Sequence, residues 1–547
     1  VGVKNRRNVV LRQMKKYNYL EEVIVDSIQL QPLNLNYTPE SHREGLATYF
    51  REFLRAHMKT WINDENNRKP DGSKYNLNTD GLKIYTTINY SMQEMAENAV
   101  LTHMPRLQKE FFEQNETLDD SIAPFRELTS GAVDTLLRIS MRRSERWRKM
   151  KYDLKKDNEE IEESFFVPKE MTVFSWEGEI DTIMTPLDSM KYYKSFFRPG
   201  MMSMDPTNGY IKAWVGGMNY RHFQYDMVKK GKRQIGSTFK PFVYAAAIDQ
   251  LKLSPCDTFP DSQFCIEKNK FGNVEQWCPK NSGDKYGRTR TLKNALANSV
   301  NTVTARLMDR IGPRTVVKLA KDLGIEQRIL PVPSIALGTP DLSVYEMVAA
   351  YSTFANKGVY TQPVFIERIE DKNGTTLYEN KPVTRDVLSE EAAYVTVNLL
   401  EGVTKAGSGT RLRTTGADEF NRAYQNVVTG YPYEFTNPIA GKTGTTQNQS
   451  DGWFIGMVPN LVTGVWVGAE DRAIHFEDIA YGQGASMALP IWGVYMKSVY
   501  QDSTLMISKD SFERPKRLSI ELDCNKFVID SVGSGKTTDQ EILDIDF

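Results

Sequence analysis

A serine and a lysine three residues apart form the first pair in this sequence that could do covalent chemistry. Ser237 and Lys240 lie in the segment GSTFKP, residues 236–241. If a helix begins at Ser237, the two side chains share one face and can meet. A lysine can take the proton of a serine hydroxyl once burial or a second cation lowers the lysine pKa from about 10.4. The pair indicates nucleophilic catalysis, but Ser282 and Lys285 have the same spacing, so this pattern alone is weak.

A second polar pair, Ser299 and Asn301, lies inside the helical stretch TLKNALANSVNTVTARLM, residues 291–308. Near a nucleophile, a hydroxyl and an amide could act as a polar relay. Taken alone, the pair is better explained as a polar helix end or cap, where serine and asparagine are favoured.

The third element is the segment KTGTT, residues 442–446. Gly444 in a β-rich run fits a strand beside which another backbone passes closely. The edge of such a strand can pair with an extended peptide. Lys442 would supply a positive field, and the hydroxyls of Thr443 and Thr445 would donate to a carboxylate. Taken alone, this element is an ordinary edge strand protected by a lysine.

The surrounding sequence predicts one α+β domain, over about residues 200–500, to position these elements. The segment MMSMDPTNGYIKAWVGG alternates on both sides of DPTNG, residues 205–209, which indicates a β-hairpin. DGWFIGMV and VTGVWVGA flank Pro459-Asn460 and indicate a second hairpin. Helices are predicted from Ser237 onward, near 291–322 and near 342–357. Strands at both ends of a region that encloses several helices are typical of an α+β domain.

In chain order the three elements read Ser-x-x-Lys, Ser-x-Asn and Lys-Thr-Gly, the motif set of penicillin-binding proteins and serine β-lactamases. Four segments carry a closer resemblance to the class A penicillin-binding proteins: KRQIGSTFKPFVYAAAI, DPTNGYIKAWVGG, LGTPDLSVYEMVAAYSTFANKGVY and DGWFIGMVPNLVTGVWVG. The resemblance implies a penicillin-binding transpeptidase fold. It also implies a D,D-transpeptidase that cross-links peptidoglycan stem peptides through an acyl-serine and is acylated by β-lactams.

The resemblance also assigns roles at the reacting centre. Ser237 would be the acylated nucleophile and Lys240 its base. Ser299 would pass a proton to the leaving D-alanine, and Asn301 would hold the peptide bond of the substrate. Lys442 would bridge to Ser299 and keep the field positive.

Along the third element, the resemblance implies a binding strand for the substrate. Thr443 and Thr445 would bind the terminal carboxylate, and Gly444 and Thr446 complete the predicted substrate-binding segment. The backbone N–H groups of Ser237 and Thr445 would form an oxyanion hole. The implied substrates are a D-Ala-D-Ala donor and an acceptor amine.

Two other functions fit the same motifs. A D,D-carboxypeptidase or β-lactamase would use water in place of the acceptor amine, although no clear glutamate motif that could activate such a water lies between the second and third elements. A non-catalytic β-lactam sensor or scaffold would be acylated but would not cross-link stem peptides.

The remaining chain divides into four predicted segments. Residues 1–30 show a helical hairpin broken near Asn18, similar to the last helices of the family's glycosyltransferase domain. Because the body of that domain is not in this chain, glycan polymerisation is not predicted. Residues 31–95 are a predicted linker region, and residues 501–547 a tail without an assigned fold. Residues 96–199 are a charged helical insertion, interpreted either as a docking surface for cell-wall synthesis proteins or as a solvated helical pair.

Composition excludes several classes of function. The formal net charge of −1 makes nucleic acid a poor partner. No stretch approaches the roughly 18 apolar residues of a membrane span. The resemblance implies an extracytoplasmic protein that is anchored through a segment upstream of this chain. No metal or cofactor is predicted, because the four cysteines form no Cys-x-x-Cys pair.

Cys265 and Cys278 flank a predicted hairpin and either form a disulfide or remain separate thiols. The segment GSGKT, residues 533–537, resembles part of a phosphate-binding loop, but Asp530 stands where its first glycine is required.

Overall fold

The computed structural model describes residues 2–33, 42–413 and 432–527. The helices of this part of the chain are α1 Gly2–Lys16, α2 Glu22–Leu30, α3 Thr48–Trp61, α4 Tyr90–Asn115, α5 Ser130–Arg143, α6 Glu145–Arg148, α7 Asn158–Glu163, α8 Pro186–Lys194, α9 Lys240–Leu251, α10 Leu292–Ala297, α11 Asn301–Ile311, α12 Pro313–Asp322, α13 Val344–Ala355, α14 Glu390–Ala406, α15 Ile479–Gly482, α16 Gly484–Met487 and α17 Leu489–Gln501. No helix among the described residues is both long enough and apolar enough to cross a bilayer.

The strands are β1 Lys83–Thr86, β2 Lys169–Ser175, β3 Gly178–Met184, β4 Arg198–Met204, β5 Ile211–Val215, β6 Arg233–Gln234, β7 Thr258–Pro260, β8 Thr289–Thr291, β9 Asp341–Leu342, β10 Val359–Thr361, β11 Ile366–Glu370, β12 Thr376–Glu379, β13 Thr384–Asp386, β14 Ala440–Thr445, β15 Asp451–Val458 and β16 Leu461–Gly468.

The chain divides into two compact units, residues 1–45 and 46–547. In the first unit, α1 and α2 form the predicted helical hairpin. Asn18, where the break was predicted, has a left-handed φ of 59°. The Arg7 guanidinium donates to the carbonyls of Gln29 at 3.0 Å and Gln31 at 2.8 Å, which satisfies acceptors left open at the end of α2.

The second unit is built on a five-stranded antiparallel sheet with the order β14-β15-β16-β4-β5. Both predicted hairpins are present in it. In the first, the Asp205 carboxylate accepts from the Thr207 N–H at 2.9 Å, and Gly209 takes a φ of 78°. The second joins β15 to β16 through the pair Val458 and Leu461. Strands and helices from distant parts of the chain share this sheet, as predicted for an α+β domain.

Helices cover both faces of the sheet, so β15 and β16 are completely buried. On one face α9, α13 and α14 share an apolar core with Trp453 and Trp466 of the sheet. On the other face α4 and α17 share a second core with Phe454 and Val465. Burial on both faces explains why the two strands are almost continuously apolar.

Two predicted boundaries differ from the structure. The boundary at residue 96 falls inside α4, because Ala96, Ala99 and Met104 lie in the core beneath the sheet. Residues 501–527 of the predicted tail also have a fixed place. Phe512 and Ile520 are buried in the main core, and a disulfide joins Cys524 to Cys256. The rest of that tail, including the GSGKT segment, lies outside the described residues.

A second disulfide joins Cys265 to Cys278. Of the two alternatives left open by the sequence, the structure has the bridged one. The bridge closes a hairpin in which Ile266 and Trp277 exchange two backbone hydrogen bonds of 2.9 Å. We call residues 262–280 the clipped segment.

Candidate active site

The turn that carries Ser237 is a single 3-10 turn, Gly236–Phe239, and α9 begins directly after it at Lys240. The predicted helix therefore starts three residues later than expected, but Ser237 and Lys240 remain one turn apart. Ser237 is half-buried, whereas Lys240 is fully buried. Gly236 has a φ of 53°, and a Cβ there would lie 2.8 Å from the carbonyl oxygen of Thr445. Only glycine permits this contact, which places the end of β14 beside the serine.

Lys240 is surrounded by oxygen atoms of the second motif. Its Nζ donates to the Ser299 carbonyl, lies 3.1 Å from Ser299 Oγ and lies 2.7 Å from Asn301 Oδ1. Burial, and then the positive charge of Lys442, lower the pKa of Lys240 well below its ordinary value. Both effects favour the neutral form of this amine in the folded protein.

A neutral amine has two N–H bonds and one lone pair. The Ser299 carbonyl and Asn301 Oδ1 can only accept, so they take the two N–H bonds. The lone pair of Lys240 is then left to accept a hydroxyl proton, and the Ser299 hydroxyl lies 3.1 Å from the amine. Among the described residues, the Ser237 hydroxyl has no hydrogen-bond partner, and no carboxylate contacts either Lys240 or Lys442. The arrangement is therefore suited to transfer of a proton from a serine hydroxyl to the amine of Lys240.

Ser299 lies between α10 and α11 with a φ of 56°, a left-handed conformation that is uncommon for residues other than glycine. Its hydroxyl is 3.1 Å from the amine of Lys240 and 3.2 Å from the amine of Lys442. The residue is not a helix cap, because Val300 occupies the cap position of α11. A strained backbone that sets one hydroxyl between two buried amines is typical of a functional site.

Lys442 lies in β14, at the edge of the main sheet, and is also fully buried. Its amine donates to Ser299 Oγ and, at 2.9 Å, to the Thr443 carbonyl. Burial lowers the pKa of Lys442 to about 7. Two buried amines that contact the same hydroxyl disfavour simultaneous protonation of both.

Gly444 is where β14 approaches the turn that carries the serine. A Cβ at this position would lie 2.8 Å from the Ile235 carbonyl oxygen and 2.9 Å from Thr238 Cγ2. The close backbone approach predicted for this glycine is therefore present. The neighbouring element is the turn that carries Ser237.

The three threonines of the third motif have different surroundings. The Thr443 hydroxyl shares a hydrogen bond with Ser408, and Thr445 Oγ1 accepts from the Gly484 N–H at 3.1 Å. The Thr446 hydroxyl lies 3.2 Å from the Asp451 carboxylate, inside the protein. Thr446 therefore braces the turn between β14 and β15.

The structure brings together the side chains of Lys240, Ser299, Asn301 and Lys442 by direct hydrogen bonds. Sequence reasoning missed a further contact of Asn301. The backbone N–H of Asn301 donates to Asn281 Oδ1 at 2.9 Å, and its side-chain amide donates to the Lys280 carbonyl at 2.6 Å. No local pattern connects residues 20 positions apart.

Two family models match the chain. The penicillin-binding protein transpeptidase domain matches residues 200–471, and the penicillin-binding protein middle domain matches residues 120–197. The second match lies inside the segment 96–199 that the sequence marked as charged and helical.

Among curated proteins, penicillin-binding protein 1A of Aquifex aeolicus is 29% identical over 525 residues, which cover 93% of this chain and 64% of that protein. Penicillin-binding protein 2D of Bacillus subtilis is 32% identical over 318 residues, covering 58% of this chain and 42% of that protein. The chain thus spans less than two thirds of the length of these relatives.

Among solved structures, penicillin-binding protein 1A of Haemophilus influenzae has a TM-score of 0.60 at 22% identity and covers 91% of this chain and 76% of its own. PonA1 of Mycobacterium tuberculosis in complex with penicillin V has a TM-score of 0.55 at 20% identity, covering 87% and 97%. At these identities the two structures establish a shared fold.

Proposed function

Because the chain belongs to the class A penicillin-binding proteins, we propose that it is a serine D,D-transpeptidase that cross-links peptidoglycan stem peptides and is acylated by β-lactams. One observation carries the proposal. The amine of Lys240 is fully buried, lies one turn from Ser237, and donates to the Ser299 carbonyl and to Asn301 Oδ1. This is the state in which a lysine can act as a base.

In the first half of the proposed reaction, the Ser237 hydroxyl gives its proton to Lys240, and Oγ attacks the carbonyl carbon between the two D-alanines. The resulting oxyanion accepts from the backbone N–H groups of Ser237 and Thr445. One such donor typically contributes about 3 to 4 kcal/mol of transition-state stabilisation. As the C–N bond breaks, Ser299 passes a proton to the departing D-alanine and regains one from the neighbouring amines.

In the second half, an acceptor amine attacks the acyl-serine. Its proton returns through Ser299 and Lys240, and Ser237 leaves with its hydroxyl restored. Asn301 holds the substrate's peptide bond, while Lys442, Thr443 and Thr445 attract the terminal carboxylate. Gly444 and Thr446 support this strand. A β-lactam would enter the same first half, but its leaving nitrogen stays tethered to the acyl group.

Mass spectrometry of the intact protein after exposure to a labelled penicillin tests the assignment. We expect one adduct on the wild type and none on Ser237→Ala. Ser282→Ala is a matched control, because Ser282 has the same Ser-x-x-Lys spacing but is exposed in a separate turn. An adduct that persists in Ser237→Ala contradicts the proposal.

The same measurement separates the other functions predicted from the sequence. Loss of the adduct within minutes would identify a β-lactamase, in which water resolves the acyl-enzyme. A stable adduct on a protein that joins no donor peptide to an acceptor amine would identify a sensor. A stable adduct together with amine-dependent peptide joining is the expected result.

We further propose that the enzyme works outside the cytoplasm, on the outer face of the membrane that anchors it. The pairs Cys256–Cys524 and Cys265–Cys278 support this location, since disulfides persist in oxidising compartments. Labelling with a thiol reagent before and after reduction checks it on protein isolated from its host. Thiols that are all free before reduction would contradict the proposed location.

We also propose that the segment 96–199 contacts other proteins of cell-wall synthesis. Beyond α4, it exposes both charge and apolar side chains: Tyr152 is 73% exposed and Ile183 is 68% exposed. Exposed apolar side chains within a charged segment support the proposal of an interface. Crosslinking in living cells from a photoreactive residue at position 183 would capture that partner, and a pattern identical to that from a site on α12 would contradict the proposal.

A further inference from the structure

We propose that Asn281 is a positioning residue for the acylation step, acting through Asn301. This inference rests on the proposed function and deepens it. It assigns to Lys280 and Asn281, which follow the disulfide hairpin, the task of aligning Asn301 with Lys240. Three observations carry it: the contacts of Asn281 with α11, the contact of Lys280 with the Asn301 side chain, and a buried carboxylate that fixes the Asn281 amide.

The first observation is a helix cap supplied from a distant part of the chain. Asn281 Oδ1 accepts from the backbone N–H of Asn301 at 2.9 Å and from that of Thr302 at 3.2 Å. These are the first two N–H groups of α11, which have no partner within the helix. Val300, at the cap position, has no side-chain oxygen that could serve them. Asn281 therefore fixes where α11 begins.

The second observation concerns the orientation of the Asn301 amide. Its nitrogen donates to the Lys280 carbonyl at 2.6 Å, so its oxygen faces the amine of Lys240 at 2.7 Å. Lys280 and Asn281 thus hold the same residue by its side chain and its backbone. Movement of this pair would shift the oxygen that occupies one N–H of the base.

The third observation is Asp261, which is completely buried behind Asn281. Its carboxylate accepts from Asn281 Nδ2 at 2.7 Å, from the Thr302 hydroxyl at 2.7 Å and from Arg290 Nε at 2.6 Å. Because Nδ2 is held by the carboxylate, Oδ1 must face α11. The hydrogen bonds form a continuous path from Asp261 through Asn281 and Asn301 to Lys240.

Loss of one of these hydrogen bonds should misalign Asn301 with the amine of Lys240. A misplacement of about 1 Å by a group remote from the reacting atoms can slow an enzyme by about 100-fold. Since Asn281 touches neither Ser237 nor Lys240, its loss should affect the chemical step more than the binding of the β-lactam. This separates a positioning role from a general loss of structure.

Stopped-flow acylation of the full chain by a fluorescent penicillin resolves the dissociation constant of the first complex and the rate constant of acylation. For Asn281→Ala we expect the rate constant to fall about 10- to 100-fold while the dissociation constant changes less than threefold. Asn273→Ala is the matched control. The Asn273 amide lies in the same clipped segment and donates only to the carbonyls of Glu267 and Glu275, at 2.9 and 2.7 Å. Its rate constant should stay within twofold of the wild type.

A double variant provides the rescue. In Asp261→Asn with Asn281→Asp, the carboxylate and the amide exchange places, so an acceptor still faces α11 and an amide still faces the carboxylate. We expect the double variant to acylate faster than Asn281→Ala. If the alanine variant does not fold, the double variant is compared with Asn281→Asp alone, in which two carboxylates face each other, and an equal rate constant would overturn the inference.

Equal rate constants for Asn281→Ala and Asn273→Ala would overturn the inference, as would a double variant no faster than Asn281→Ala. Failure of the proposed function looks different, because then the wild type itself would form no adduct on Ser237. A normal wild-type adduct combined with an unaffected Asn281→Ala variant would remove this inference alone.

Discussion

The candidate active-site cleft and residues 116–197, which we call the middle segment, differ in which side chains they bury. The cleft buries Lys240 and Lys442 completely. The middle segment leaves Tyr152 and Ile183 largely exposed and closes over a small core of Met141, Ile161 and Phe165. Buried amines cost stability unless they have partners, whereas exposed apolar groups cost solubility. The buried amines therefore lower the stability of the protein, and the exposed apolar side chains of the middle segment lower its solubility.

The largest effect that would test this contrast is expected from replacing Lys240, the proposed base. Lys240→Met should slow acylation by about a thousandfold, within the usual contribution of general base catalysis. Lys252→Met is the matched control, because Lys252 follows the same helix but is exposed. Stopped-flow acylation checks both variants. Retained acylation in Lys240→Met would place the base elsewhere.

Replacing one glycine in each region by alanine tests whether the two regions differ in backbone packing. Gly444→Ala should slow acylation by about 10- to 100-fold, because the added Cβ would push β14 away from the turn that carries Ser237. In the middle segment, Gly131 lies in α5 with open space around its Cβ. Gly131→Ala should therefore stabilise the protein by about 0.5 to 1 kcal/mol and leave acylation unchanged. Similar effects of the two variants, measured by acylation and thermal unfolding, would remove the distinction.

The pH dependence of stability should show the buried amine of Lys442. Its pKa is about 7 in the folded protein and about 10.4 in an unfolded chain. Between these values the unfolded chain binds more protons, so the free energy of unfolding rises with pH, by up to about 1.4 kcal/mol per pH unit. Thermal unfolding of the wild type and of Lys442→Met between pH 7 and pH 9.5 isolates this term. We expect a smaller rise in the variant, and identical slopes would mean that the amine is not desolvated.

The smallest effect is expected on the charged face of α5. Arg142 and Arg143 are exposed there. Reversing both charges with Arg142→Glu and Arg143→Glu should change the free energy of unfolding by less than about 0.5 kcal/mol and leave acylation unchanged. Urea unfolding and penicillin labelling check this. A marked loss of acylation would show that the middle segment and the cleft are energetically coupled.

Sequence reasoning was most successful where a motif and its surroundings were both local. The spacing of Ser237 and Lys240 predicted a shared helix face, and alternation around DPTNG predicted the first hairpin. The meeting of Lys240, Ser299, Asn301 and Lys442 was predicted only because three weak motifs occurred in one order. The α+β class followed from strands at both ends of a helical region.

Other features depend on contacts that no short window of sequence contains. Nothing near Asn281 indicates that its side chain begins a helix 20 residues later. The left-handed backbone of Ser299, with a φ of 56°, does not follow from a propensity of serine. Cysteine counting could not select Cys256–Cys524 either, since the partners are 268 positions apart. The predicted boundary at 96 falls inside α4, which buries one face beneath the sheet.

The Cys256–Cys524 bond closes a covalent ring that contains Ser299, Asn301 and Lys442 but not Ser237 or Lys240. Ser237 and Lys240, the proposed nucleophile and base, therefore precede the ring, whereas Ser299, Asn301 and Lys442 lie within it. A single cut by a protease inside that ring would leave both fragments joined as one molecule. Such a nicked protein would migrate as two bands only after reduction, and its cleft would still hold every part of the site.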